Sequence, residues 1–383
     1  MCLHPSFLFL PTYFPFFRSP HVLHFSQSII RAHLTLSAVC YIYGMDFFTK
    51  INIPEADFNI DYASHLTFFG SCFADNISAL FAARKFHVLS NPFGTVYNPV
   101  SLASQIKTIA DSKTFDKSDI FQDTRCDGLW HCWNAHSSLS APTQEACIAK
   151  LNDVVKSVHE YLQKSNVILI TLGTAFVYTL KQTGNVVSNC HRQDPNLFTR
   201  RILSVEETTQ ALESIINDIF AIKNQNNLAK PFLSRPQIIF TVSPLRHLSD
   251  GAHANTLSKA TLQLAINIIQ QKSKGAVSYF PSYEIVMDEL RDYRFYENDM
   301  VHLSKTAEEY IFERIIGAYC SKDTRNQIDS VEKFMKGVNH RIAAPQSTTS
   351  KTFTEKAIAQ AMNLESQIPG LDLSEEIKYF KSF

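Results

Sequence analysis

The sequence contains no Cys-x-x-Cys pair, and its eight cysteines are scattered over 383 residues. That spacing argues against a disulfide framework or a familiar zinc site, so a reducing compartment, the cytoplasm, is expected. Neither charge is in excess: Lys plus Arg and Asp plus Glu number 36 each. A chain so balanced has no overall electrostatic reason to bind nucleic acid or an anionic membrane, and a small neutral substrate suits it better. Internal repeats and low-complexity tracts are lacking too. What is present is apolar residue, 45% of the chain, enough for a full core in one large domain or two ordinary ones.

The first 44 residues lack the positive start and unbroken apolar run of a secretory signal. Pro5, Pro11 and Pro15 would also break a membrane helix well short of the roughly 20 residues it needs. From Met45 the composition becomes that of an ordinary folded chain. Met45 is therefore the expected start, with residues 1–44 a gene-model extension or a disordered tail; an unusual targeting segment is the competing reading.

Beyond Met45, short apolar runs alternate with amphipathic stretches. LTFF (66–69), NVILIT (166–171) and QIIFTV (237–242) are β-branched or aromatic and uninterrupted, as in strands buried on both faces of a parallel sheet. Helical spacing follows over 73–84, with Phe73, Ile77, Leu80 and Phe81 on one face, then over about 143–164, 204–224 and 256–273. Ser204 and Glu207 form a capping box ahead of the third. The alternation predicts an α/β fold with a mostly parallel sheet. After about residue 322 the pattern becomes polar helices interrupted by APQSTTS (344–350), expected to be a linker within a C-terminal helical appendage.

In an open parallel sheet, ligands bind outside the carboxyl ends of the strands. Ser71 stands just there, between the 66–69 strand and the next helix. It is either an N-cap or a nucleophile beside unpaired helix N–H groups. A nucleophilic serine needs a base. Among 14 histidines, His302 stands out because Asp299 precedes it by three residues, so one loop can present both, the carboxylate orienting the imidazole. Ser304 and a helix bearing Ile311, Ile315 and Ile316 follow.

FFGSCFADN (68–76) carries the signature of the GSCFA family, and the chain resembles that family over about residues 47–320. NPFGTVYNP (91–99), LITLGTAFVY (169–178), VVSNCHRQDPNLFTRR (186–201), IIFTVSPLRHL (238–248) and NDMVHLS (298–304) add to the resemblance. Members of that family begin close to INIPEADFNIDY, which again favours Met45. GSCFA domains are similar to SGNH or GDSL-type hydrolases, three-layer α/β/α sandwiches in which an early Ser and a late D-x-x-H form a triad. The resemblance thus implies Ser71 as nucleophile, His302 as base and Asp299 as its orienter. It also implies a hydrolase domain over 45–322, a helical extension over 323–383, and no metal or cofactor.

The sequence departs from the wider hydrolase pattern. Gly70 directly precedes Ser71, without the intervening Asp, and the third block reads Gly173-Thr174-Ala175 where Gly-x-Asn-Asp is usual. An oxyanion donor is thereby left open among the Ser71 backbone N–H, the backbone at Gly94, the Asn98 side chain and Asn189. Gly94 and Gly173 are either close-approach points for substrate or plain turns. Cys72, at a helix N-terminus, is an alternative nucleophile. His191, with Arg192 beside it, is either part of a substrate-orienting loop or of a surface turn. Arg246 is either an anion contact or the partner of an internal carboxylate.

Cys126, His131, Cys132 and His136 lie close in sequence but match no metal spacing, and Trp130 and Trp133 suggest strand alternation there instead. Trp130, Trp133, Tyr97 and Tyr178 are either sugar platforms or core. The leading expectation is a serine esterase or acyltransferase acting through an acyl-enzyme on a small-molecule or glycan ester. The alternatives are an inactive acyl-group or glycan-binding module and a Cys72-dependent hydrolase.

Overall fold

The apolar runs become the inner strands of one parallel sheet. The computed structural model describes residues 49–224, 235–273, 275–338 and 347–383, so the expectation for residues 1–44 lies outside the described residues. The strands are β1 (His65–Gly70), β2 (His87–Ser90), β3 (Val167–Leu172), β4 (Gln237–Val242) and β5 (Val277–Tyr279), in spatial order β2-β1-β3-β4-β5. Every pairing is parallel, with Phe69 beside Ile170 and Leu172 beside Val242. Strand order reverses between β1 and β3, the switch point at which such sheets open a crevice.

Parallel pairing requires crossovers, and helices supply them. They are α1 (Cys72–Ala83), α2 (Pro99–Ala110), α3 (Gln144–Lys164), α4 (Val205–Asn224), α5 (Ala252–Lys272) and α6 (Lys305–Tyr319). Three more follow: α7 (Lys322–Val338), α8 (Thr348–Gln367) and α9 (Ser374–Lys381). The cap at Ser204 is reciprocal: Glu207 N–H donates to Ser204 Oγ at 3.1 Å, and Ser204 N–H donates to the Glu207 carboxylate at 2.9 Å.

Strand side chains alternate between two cores, as a period of two demands. Phe69, Ile168, Ile170, Phe240 and Val242 pack with the apolar faces of α2 to α5. Leu66, Phe68, Val167, Leu169 and Ile239 pack on the opposite face with Phe73 and Ile77 of α1 and Ile311 and Phe312 of α6. The result is a three-layer α/β/α sandwich. Phe240 is fully buried in the first core, and its truncation to alanine would cost about 3–5 kcal/mol. The C-terminal helices extend the second layer: Val331, Phe334, Ala361, Leu364 and Phe380 belong to the same cluster as α1 and α6. Part of the expected 344–350 linker is helical, because Ser347 accepts the Ser350 N–H and caps α8.

Two small antiparallel additions are not legible as periodic runs. A ribbon of Phe176–Leu180, Val186–Val187 and Phe198–Ile202 begins four residues beyond β3, and Phe121–Gln122 pairs with Trp130–His131. Among the described residues no helix is long and apolar enough to cross a membrane.

Candidate active site

β1 ends in Gly70, whose φ of +125° is a glycine conformation, and passes straight into α1 through Ser71. Ser71 holds the N-cap position with extended backbone, yet its side chain makes no capping hydrogen bond. Its Oγ is buried, with the residue 1% exposed, and has no hydrogen-bond partner among the described residues. An orphaned buried hydroxyl costs about 1–3 kcal/mol. A serine kept only to cap α1 would spend its oxygen on the N–H groups of the first turn.

Asp299 and His302 are brought together by a tight loop ahead of α6. Asp299 Oδ2 accepts from His302 Nδ1 at 2.5 Å, while Asp299 Oδ1 accepts the backbone N–H groups of Val301 and His302, each at 2.9 Å. These bonds, the one from the His302 ring foremost, hold the Asp299 carboxyl down at about 2. Met300 between them has a φ of +57°, and a bridge between Tyr296 and Leu303 closes the loop. With Nδ1 engaged, Nε2 is the nitrogen left for proton transfer. The His302 side chain is 54% exposed and is not hydrogen-bonded to Ser71. The helices that follow the two residues meet through a hydrogen bond between Asn76 of α1 and Glu308 of α6.

A cleft of about 560 Å³ is lined by Tyr97, Thr174, Phe176, Tyr178, Asn189 and His247, among others, and the Val96 N–H, next to Tyr97, donates to the Gly70 carbonyl at 2.9 Å. Tyr97 lies within electrostatic reach of Cys72 and Asp75 on α1, and its ring meets His247 edge to face at 5.5 Å. His247 in turn feels the charge of His302. Burial first, then Lys259 and Arg200, lowers His247 to about 4, so it is neutral at physiological pH. Tyr178 is 41% exposed. The Arg200 guanidinium lies over the rings of Phe176 and Tyr178, at 4.6 and 5.1 Å.

The structure corrects several oxyanion and substrate candidates. The Ser71 N–H donates to the Thr171 carbonyl at 3.1 Å, and the Gly94 N–H donates to Asn91 at 2.7 Å in a turn. Gly94 is glycine because a Cβ there would meet His136 Cβ at 2.0 Å. The N–H groups of Gly173 and Thr174 both donate to the Tyr97 carbonyl, at 2.8 and 2.9 Å, so this turn positions Tyr97 instead of an oxyanion. Asn98 caps α2, with Oδ1 accepting the Ser101 N–H and Nδ2 donating to Ser101 Oγ. His191 faces inward and is 5% exposed. Its nitrogens meet the Cys132 carbonyl at 2.8 Å and Ser137 Oγ at 3.2 Å, its ring lies 4.5 Å from that of His131, and burial lowers it to about 4. The loop itself does edge the cleft, through Ser188, Asn189 and Cys190.

Asn189 Oδ1 accepts the His191 N–H at 2.8 Å, and its Nδ2 meets no acceptor among the described residues. Arg246 opens into a neighbouring cleft of about 390 Å³ with Tyr293 and Tyr296, and no carboxylate among the described residues pairs with it. Cys72 leans on the second core, where burial and the nearby Asp75 push its thiol up. Trp133 stacks on Phe121 at 3.8 Å and Trp130 packs on the first core. Of Cys126, His131, Cys132 and His136, only His131 joins a group spaced closely enough to hold a cation among the described residues, with Asp123 and Asp127.

Sequence reasoning missed the inward face of α5. Asn255, Ser258 and Lys259 are all buried there, below the carboxyl ends of β3 and β4. The signal was available, since three polar residues at i, i+3 and i+4 interrupt a stripe that continues as Leu262, Ala265, Ile266 and Ile269.

No curated protein matches the sequence. Among solved structures, a carbohydrate esterase family 3 protein from Talaromyces cellulolyticus is similar at 8% identity and a TM-score of 0.31, over 70% of this chain and 99% of its own. Est24, a carbohydrate acetylesterase from Sinorhizobium meliloti, is similar at 10% identity and a TM-score of 0.30, over 66% of this chain and 97% of its own. The model of the GSCFA family matches residues 65–315, and that of the GSCFA domain protein C-terminal domain matches residues 331–383. With Ser71 and the Asp299–His302 pair both inside the first match, the chain belongs to the GSCFA family.

Proposed function

We propose that this chain is a serine esterase or acyltransferase that works through an acyl-enzyme on Ser71. The observation that carries the reading is the Ser71 hydroxyl: buried, unpartnered, and at the carboxyl end of β1 where a mere cap would be hydrogen-bonded. Ser71 Oγ attacks the ester carbonyl as its proton passes to His302 Nε2, and Asp299 stabilises the imidazolium through Nδ1. The oxyanion is met by first-turn N–H groups of α1, at Cys72 and Phe73, which have no intrahelical acceptor, with Asn189 Nδ2 as a side-chain donor across the cleft. Collapse expels the alcohol, which takes the proton from His302. Water, or a second alcohol in a transferase, then repeats the sequence on the acyl-Ser71 ester and restores the hydroxyl.

An O-acylated carbohydrate suits this cleft. Tyr178 and Tyr97 offer ring faces on which a sugar stacks, and Thr174, Asn189 and His247 offer polar contacts. A second reading, a binding module on the same fold, is favoured by one observation: His302 is half exposed and not bonded to Ser71. Hydrolysis of 4-nitrophenyl acetate and butyrate separates the two. Wild type should turn over, and Ser71→Ala and His302→Ala should each lose at least about a thousandfold in kcat while remaining folded. An inert wild type, or an active Ser71→Ala, leaves the binding module in place.

A further inference from the structure

The buried polar face of α5 grips the site at several points. Asn255 Oδ1 accepts the His247 N–H at 3.0 Å. Ser258 Oγ meets Thr174 Oγ1 at 3.0 Å and accepts the Ala175 N–H at 2.8 Å. Lys259 Nζ donates to the carbonyls of Gly173 and Ser243, both at 2.7 Å. These two carbonyls directly follow β3 and β4, and Gly173 in turn holds Tyr97 at the cleft. The serines on either side of β3, Ser71 and Ser243, both keep buried hydroxyls without a partner among the described residues.

Burying an ammonium is costly unless an opposite charge or a full set of acceptors compensates it. Lys259 is 1% exposed and has two carbonyls and the Tyr283 ring, 5.9 Å away, but no described carboxylate as an ion-pair partner. A leucine or methionine would bury no charge there, but would leave the Gly173 and Ser243 carbonyls without this donor. A cation retained there points to a use.

We infer that Lys259 is a positioning residue for the reaction proposed above, on which this inference rests: it fastens the ends of β3 and β4 beneath the cleft and supplies positive potential where the substrate oxyanion forms. A fixed, desolvated charge acts most strongly on charge that develops only in the transition state, so the effect falls on kcat and leaves KM nearly unchanged. The titratable groups facing it are the Cys72 thiol on α1, His247 after β4 and Tyr283 after β5. Burial lowers the Lys259 ammonium to about 7, so its charge is lost as pH rises through neutrality and turnover should fall there.

The test is the pH profile of 4-nitrophenyl acetate hydrolysis by the full chain carrying Lys259→Met or Lys259→Arg, with wild type and Ser71→Ala alongside. Lys259→Met should lose about 10- to 100-fold in kcat and lose the alkaline limb, whereas Lys259→Arg should restore rate and carry it to higher pH. Should Lys259→Met fail to fold, wild type and Lys259→Arg decide: a limb near pH 7 that Lys259→Arg moves upward supports the inference. An identical limb in both, or a Lys259→Met variant with wild-type kcat and profile, overturns it while Ser71-dependent turnover still stands. An inert wild type overturns the proposed function and this inference together.

Discussion

A Cβ on Gly70 would stand 2.0 Å from the carbonyl oxygen of Thr171, so β1 and β3 meet beside Ser71 through bare backbone. That carbonyl also accepts the Ser71 N–H at 3.1 Å, and the Gly70 N–H is held at 2.7 Å by Asn91 Oδ1. The carboxyl edge at Ser71 is therefore fixed by the Thr171 main chain on one side and by the Asn91 side chain on the other.

Gly70→Ala combines a left-handed backbone with a steric overlap that backbone atoms cannot easily relieve. It should destabilise the fold by about 3–5 kcal/mol, because both strand spacing and φ must change. Chemical denaturation followed by circular dichroism measures this, and an unfolding midpoint equal to wild type would contradict it.

Cys72 directly follows Ser71, the nucleophile proposed above, but its surroundings do not favour a thiolate. Burial and then Asp75 raise its thiol, so the thiolate is scarce at neutral pH despite the helix N-terminus. Cys72→Ala should keep most of the wild-type rate, and iodoacetamide at neutral pH should modify Cys72 slowly. An inactive, folded Cys72→Ala beside an active Ser71→Ala would transfer the nucleophile's role to sulfur.

His191 and His247 are each lowered from 6.5 to about 4, burial being the largest cause for both. Between those values the unfolded chain binds protons that the native chain refuses, so stability rises with pH from about 4 to 6.5 and is lost on acidification through that window. Full acidification through that window costs on the order of 3 kcal/mol for each group. Urea midpoints measured from pH 4 to 7 should fall towards acid, less steeply in His191→Gln and His247→Gln, and equal slopes in all three would refute the assignment.

The inner strands were legible because β1, β3 and β4 are unbroken apolar runs, and three of the four expected helices were legible almost to their ends; α5 begins four residues earlier than its periodicity suggests. β2 and β5 escaped because they are only four and three residues long and half buried, which leaves no periodic signature. The placement of Ser71 at the end of β1 and the pairing of Asp299 with His302 were legible from motif and spacing alone. The direction of a loop side chain was not: His191 read as part of either a substrate-orienting loop or a surface turn, and the aromatic neighbours it packs on, His131 and Trp133, come from 55 or more residues earlier in the chain. Gly94 and Gly173 announced close approach correctly in kind, but the approaching atoms belong to His136 and Tyr97 of this chain. Lys259 was hidden by its helix, where a lysine ordinarily faces water.

The last helices do more than fill the second layer. β2 ends the sheet, and the main-chain groups on its outer side would invite a strand from another molecule. His87 on β2 reaches the Gly370 carbonyl at 2.9 Å, Lys85 just before it pairs with Glu376 at 2.6 Å, and Gly370 lies against the backbone of Tyr62 and Ala63. The C-terminal segment thus stands guard over an open hydrogen-bonding edge, and the chain's own tail discourages sheet-to-sheet aggregation.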